Sequence, residues 1–153
     1  MVAEAAFRVI LGLRFLSSGL SNVKRWPHAT ETAAIISRSA AVPLGFVATA
    51  LMVVGGAGLV LGLATPVAAA LLLLFLVPTF QVQRHWLRTL PTEAARVAEA
   101  IADESMRRRF GVFQRHAIHA HETGLQENLV YFAACVYFVA RGSSGFSVDA
   151  LIR

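Results

Sequence analysis

Residues 42–80, VPLGFVATALMVVGGAGLVLGLATPVAAALLLLFLVPTF, decide what kind of protein this is. No charged residue occurs between Val42 and Thr65. A bilayer core needs about 20 apolar residues per helix, and Val42–Ala64 supplies them alone. Gly62-Leu-Ala-Thr-Pro66 then breaks the run, and Val67 to Phe80 is apolar again. Pro66 suits the first turn of a second helix, where its missing N–H has no intrahelical partner to lose. The stretch therefore predicts two membrane-crossing helices joined by a tight turn.

The whole chain agrees with that reading. Its 153 residues are 56% hydrophobic and only 15% charged, with a mean hydropathy of +0.61. Average soluble chains carry roughly 25% charge. A net charge of +5 could suggest nucleic acid. The basic residues flank apolar segments, however, as insertion topology requires, and no nucleic-acid-binding motif accompanies them. The single cysteine, Cys135, lies in an apolar run and has no internal disulfide partner.

Working outward, Ala5–Val23 reads as a first span with Arg14 near its middle. It has no basic leader and no clean cleavage site, so a retained helix is expected rather than a signal peptide. Lys24-Arg25-Trp26-Pro27-His28 ends it with the basic and aromatic residues of a membrane boundary. Glu31 to Ser39 is predicted as a short helix lying over the bundle. The second span, about 43–64, carries Gly55, Gly56, Gly58 and Gly62, and the first carries Gly12 and Gly19. Small residues at such spacing mark faces for close helix packing. The third span, about 66–86, is expected to kink at Pro78 and turns polar beyond it, with Gln81, Gln83, Arg84, His85 and Trp86.

Residues 91–110 differ in kind. Glu93, Glu99, Asp103 and Glu104 precede Arg107-Arg108-Arg109, an order that suits a helix dipole, and Thr92 is a plausible N-cap. This segment is predicted as an amphipathic helix outside the hydrocarbon. The uncharged run Asn128–Ala140 is too short to cross, so the fourth span must reach back to about His121 and take Glu127 with it. The expected fold is an all-α membrane protein. It is a single membrane domain, residues 1–153, forming a four-transmembrane-helix bundle with a charged helical insertion between the third and fourth spans.

Four spans put both termini on one side and the loops 24–41 and 87–115 on the other. Lys24, Arg25, Arg38, Arg84, Arg88, Arg96, Arg107, Arg108, Arg109 and Arg115 cluster on the loop side, against mainly Arg141 and Arg153 opposite. The positive-inside rule makes the loops cytoplasmic and the termini external. Glu127 then lies roughly 9 Å in from the loop side and Arg14 roughly 13 Å, at 1.5 Å per residue. An arginine at such depth needs a partner or a wet cavity, and Glu127 is the acid nearest in depth. Ser17, Ser18, Ser21 and Asn22 share this half of the first span. Two readings follow: Arg14, Gln81, His85, His121 and Glu127 line a pocket for a polar ligand head such as a quinone, or Arg14–Glu127 is a structural ion pair. His116, His119 and Glu122, three residues apart on one helix, are candidate metal ligands, with His85 able to join from another element. The plainer reading is interfacial histidines titrating near neutrality. Tyr131, Tyr137 and Cys135 read as packing residues.

Three stretches resemble the DoxX family of small four-span membrane proteins. The first is Arg8-Val-Ile-Leu-Gly-Leu-Arg-Phe-Leu-Ser-Ser-Gly19 to Lys24, similar to the family's opening helix. The second is Gly55-Gly56-Ala-Gly-Leu-Val-Leu-Gly62-Leu-Ala-Thr-Pro, similar to its second helix and turn. The third is Glu127-Asn128-Leu129 with Gly142-x-x-Gly145-Phe-Ser147-Val-Asp149, similar to its closing helix and tail. Met52-Val53-Val54 stands where family members often carry a glutamate. The resemblance implies a multi-pass protein of the bacterial cytoplasmic membrane, similar to the small membrane subunit of thiosulfate:quinone oxidoreductase. It implies a subunit of a redox complex that contacts quinone, or a non-catalytic accessory subunit that assembles a larger membrane enzyme. The expected partners are the lipid bilayer and other membrane or membrane-associated subunits, with no nucleic acid. No intrinsic cofactor is expected; quinone is the candidate ligand, and neither metal nor haem is expected.

Overall fold

The computed structural model describes residues 2–143 and 146–152; Gly145 and Arg153 lie outside the described residues. Six helices follow one another: α1 Val2–Lys24, α2 Trp26–Ala34, α3 Ala41–Leu61, α4 Thr65–Ala100, α5 Glu104–Arg141 and α6 Val148–Ile152. No strand occurs among the described residues. Helices α3 and α4 are both long and apolar enough to cross a membrane. Many of their large apolar side chains, among them Phe46, Val54, Val67 and Val77, point outward rather than into the protein. Lipid is the solvent such a surface fits.

Sequence explains each boundary. Gly62 caps α3 in the left-handed region at φ 67°, its own N–H returning to Leu59 and that of Leu63 to Gly58. Glycine adopts this conformation without the Cβ penalty other residues meet. Pro66 occupies the first turn of α4. Pro27 does the same in α2, which therefore begins at Trp26 instead of spanning the expected 31–39. α2 lies over the start of α3: a Cβ on Gly45 would come within 3.2 Å of the Ala29 carbonyl oxygen, and Trp26 meets Phe46 edge-on at 6.5 Å.

The largest departure from the sequence reading lies in the predicted insertion. Pro78 and Pro91 both sit inside α4, and neither ends it. The chain breaks instead at residues 101–103, where Asp103 caps α5 by accepting the amides of Ser105 and Met106 at 2.7 and 3.1 Å. Bonding to Ser105, then to Met106, holds the Asp103 carboxyl below the usual carboxylate range. Thr92 is thus an interior residue, not a cap. Residues 91–110 are the tip of a hairpin of two long helices rather than a separate element. Proline inside a helix costs about 3 kcal/mol, so packing must offset it, and Ala94 is buried there.

The core joins four helices through Leu11 and Phe15 of α1, Met52 and Leu59 of α3, Leu72 and Leu76 of α4, and Cys135 and Phe138 of α5. In lipid, helix association gains little from the hydrophobic effect and depends on close van der Waals contact. The glycines provide that contact. A Cβ on Gly12 would meet the Gly56 carbonyl oxygen at 2.8 Å, and one on Gly19 would meet Val53 at 2.8 Å, so α1 and α3 touch almost backbone to backbone. Gly55 faces Leu72 and Gly58 faces Ala68, bringing α4 against the other side of α3. These faces are used inside the chain and are not open to another subunit.

Candidate functional site

Five helices line a half-open cavity of about 640 Å³ in the loop-side half of the bundle. Drug-sized ligands occupy pockets of about 300–1,000 Å³ that are mostly apolar with a few placed polar groups. Here Leu44, Leu51, Leu74 and Phe75 provide apolar wall. Polar groups enter from α1 (Arg14, Ser18, Asn22), α2 (His28, Thr32), α4 (Thr79, Gln83) and α5 (Glu127, Asn128).

Arg14 and Glu127 meet, with Nη2 of one 3.5 Å from Oε2 of the other. Tyr131 completes the group: Arg14 Nε donates to its hydroxyl at 3.3 Å, and that hydroxyl donates to Glu127 Oε2 at 3.4 Å. Tyr131 is therefore more than the packing residue expected of it. Its position was readable, because Glu127 and Tyr131 are four residues apart on one helix. All three distances exceed the usual hydrogen-bond range, so the contacts within the trio are weak ones. Arginine carries five N–H donors; neither donor on Nη1 is used among the described residues.

Deeper toward the loop side, Gln83 Oε1 can only accept, so His121 Nδ1 donates to it across 2.7 Å. Trp86 stacks on the same imidazole at 5.8 Å, and Asn128 donates to Thr79 at 3.2 Å. These contacts tie α4 to α5 beside the cavity. His121 thus stands behind the wall, reaching it through Gln83. Gln81 and His85 are exposed on the outer surface of α4 and do not line the cavity; His85 instead meets Trp86 edge-on. Depth along the helix is right for both, but their angle around it points them away. His119 Nδ1 approaches Glu122 at 3.6 Å on the exposed face of α5. Neither His116 nor any other ligand joins them: no three His, Cys, Asp or Glu side chains are grouped to hold a metal among the described residues. Cys135 is fully buried in the core.

A second polar centre lies at the opposite end of the bundle. Arg8 is 3% exposed. Its Nη1 donates to the Leu59 carbonyl at 2.7 Å and its Nη2 to that of Phe146 at 2.8 Å. The Asp149 carboxylate accepts the amides of Ala64 and Thr65 at 2.7 and 3.0 Å, capping α4, while its own amide donates to Gly62 O at 3.0 Å. The tail is thereby bonded across the α3–α4 turn. The Thr65 amide first, then those of Ala64 and the Ser143 hydroxyl, hold the Asp149 carboxyl below its ordinary range against partial desolvation. A carboxylate with a depressed folded pKa stabilises above the unfolded value of about 3.9, and that stability is lost as pH falls through the folded value. Amide exchange at Ala64, Thr65 and Asp149 should accordingly stay slow at neutral pH and accelerate below about pH 4, measured relative to the intrinsic rate. In Asp149→Ala, which has no side-chain acceptor, exchange at Ala64 and Thr65 should be fast throughout; slow exchange in that variant would contradict the bonding.

The DoxX family model matches residues 3–86, which covers α1, α2, α3 and the membrane-length part of α4. The matched region holds Arg8, Arg14 and Gly62, whereas Glu127 and Asp149 lie beyond it. No curated protein and no solved structure matches the chain. With more than half its length matched and two apolar helices suited to lipid, this helical membrane protein belongs to the DoxX family.

Proposed function

We propose that the protein is a four-span membrane subunit of an oxidoreductase complex whose loop-side cavity receives the head of a quinone. The observation that carries this reading is the Arg14–Tyr131–Glu127 trio in the wall of an otherwise largely apolar cavity. A quinone carbonyl needs a donor, which Arg14 Nη1 supplies. A quinol hydroxyl needs an acceptor, which Glu127 supplies. The apolar remainder suits a ring and the start of a lipid tail.

Two features support four spans. A Cβ on Gly142, just past α5, would lie 3.6 Å from the Pro66 ring, so α4 begins where α5 ends. Ionisable residues in the middle of α1 and α5 face each other as Arg14 and Glu127, which removes much of the cost of placing either in hydrocarbon. The arginine excess of the loops supports a cytoplasmic position for them, with the termini outside, in a bacterial cytoplasmic membrane.

The test is binding of a decyl-tailed benzoquinone to the purified protein in nanodiscs. Glu127→Gln and Arg14→Met should each raise Kd at least tenfold, about 1.4 kcal/mol. Ala48→Phe, which adds bulk from the α3 wall of the cavity, should do the same. His85→Ala should leave Kd unchanged, since His85 is outside the cavity. Binding that survives all three cavity variants would sink the proposal. The accessory-subunit reading draws on a different observation, the projection of α4 and α5 beyond membrane length.

A further inference from the structure

α4 has 36 residues and α5 has 38. At 1.5 Å per residue they are about 54 and 57 Å long, against a hydrocarbon core of about 30 Å. Because α4 starts and α5 ends at the terminus side, the surplus of both projects together on the loop side. The hairpin's charges do not cancel. Arg96 pairs with Glu93 and Arg107 with Glu104, and Asp103 is occupied as a cap. Arg84, Arg88, Arg108, Arg109 and Arg115 make no ion pair among the described residues.

Three of these five share one face. At about 100° per residue, Arg115, Arg108, His119, Val112, His116, Arg109 and Phe113 fall in that order within an arc of about 160°. All seven are exposed, Phe113 by 69%. The opposite face, including Phe110, Gln114, Ala117 and Ile118, is partly covered. Arginine and aromatic residues are what protein interfaces concentrate, and arginine forks match carboxylates bidentately.

Distance decides between lipid and protein. Arg108 stands about 20 Å along α5 from His121, where the hydrocarbon ends. Headgroups occupy only about 6 Å per side, and the Debye length is about 8 Å at physiological salt. Lipid phosphates are therefore screened from Arg108 and Arg109, about 20 and 18 Å out, whereas Arg115, His116 and His119 stand within their reach. We propose that the distal part of this face, from Arg108 to Phe113, docks an acidic, partly apolar surface of a soluble protein on the loop side of the membrane. The proposal rests on the four-span reading and is independent of what the cavity binds.

The full chain in phosphatidylcholine nanodiscs would be titrated with two fluorescent 18-residue peptides of equal charge, one of glutamate and serine, the other of glutamate and leucine. Both should bind, more weakly as salt rises, and the leucine peptide more tightly. Arg108→Glu/Arg109→Glu should weaken both at least tenfold, and Phe113→Ser should erase the preference for leucine. Binding unaffected by the double change, or oligothymidylate of equal charge binding as tightly as the leucine peptide, overturns the docking proposal. A fluorophore on Met106→Cys, an exposed position about 22 Å along α5 from His121, reports the premise separately, since Cys135 is fully buried. It should escape quenching by nitroxide-labelled headgroups. Quenching would mean that the hairpin lies on lipid, sinking docking and four-span geometry together; an unquenched label with no peptide binding sinks docking alone.

Discussion

Replacing Gly56 by leucine should prevent stable folding, and even Gly56→Ala should be costly. A Cβ at this position would lie 2.6 Å from the Leu16 backbone nitrogen and 2.9 Å from the Gly12 carbonyl oxygen. The obstacles are main-chain atoms on a rigid helix, so no side chain can rotate away. α1 and α3 would have to separate, losing dispersion contacts along their whole crossing. Overpacking usually costs 1–3 kcal/mol; we expect about 3 kcal/mol for alanine and more for leucine. In a soluble protein some of this could be recovered by reburying apolar surface. In lipid it cannot, because the exposed leucines are already well solvated. The measurement is the fraction folded as detergent denaturant rises. Gly111→Ala is the control, since a Cβ there would meet only the far end of Arg115, at 3.8 Å. A Gly56→Ala protein as stable as that control would show that the two helices are not so closely packed.

Arg8→Met should detach the tail from the α3–α4 turn and destabilise the terminus-side half of the bundle. The substitution keeps length and apolar volume but removes two charge-assisted hydrogen bonds to carbonyls, each worth about 1.5–3 kcal/mol. It also leaves the Phe146 carbonyl without the arginine that holds it, and removes a positive charge that acts on the Asp149 carboxylate. About 3 kcal/mol is expected in total, a large share of an ordinary protein's stability. Arg8→Lys should recover only part, because an ammonium is a point charge and cannot serve two carbonyls in the fork geometry. Gly62→Ala should give the same phenotype by another route. Its Cβ would strike the Arg8 guanidinium and lie 2.5 Å from Ser147 Cβ, in a left-handed conformation that itself costs about 1–2 kcal/mol. Amide exchange at Ala64, Thr65 and Asp149 reads both variants. If those amides stay protected in Arg8→Met, the arginine is not what fastens the tail.

These variants separate what is local in the chain from what is not. The α3–turn–α4 unit was legible from residues 42–80, because length, absence of charge, Gly62 and Pro66 act within a few residues of themselves. The meeting of Arg14 and Glu127 was legible too, since matching depth from the loop side is simple arithmetic along two helices. Depth does not give angle, and on a helix each residue turns about 100°. Gln81 and His85 therefore have the right height and the wrong direction, while Gln83 and Tyr131 face inward. Residues 91–110 read as a separate helix because the Thr92 cap signal and the order of acids before bases are local. Only the packing of α4 against α5 could carry the helix through it to residue 100 and move the break to Asp103. The node of Arg8, Gly62 and Asp149 spans nearly the entire chain, with Arg8 bonded to a carbonyl 138 residues away. No periodicity or spacing encodes such a contact; it exists because four packed helices return the tail to the turn where α4 begins.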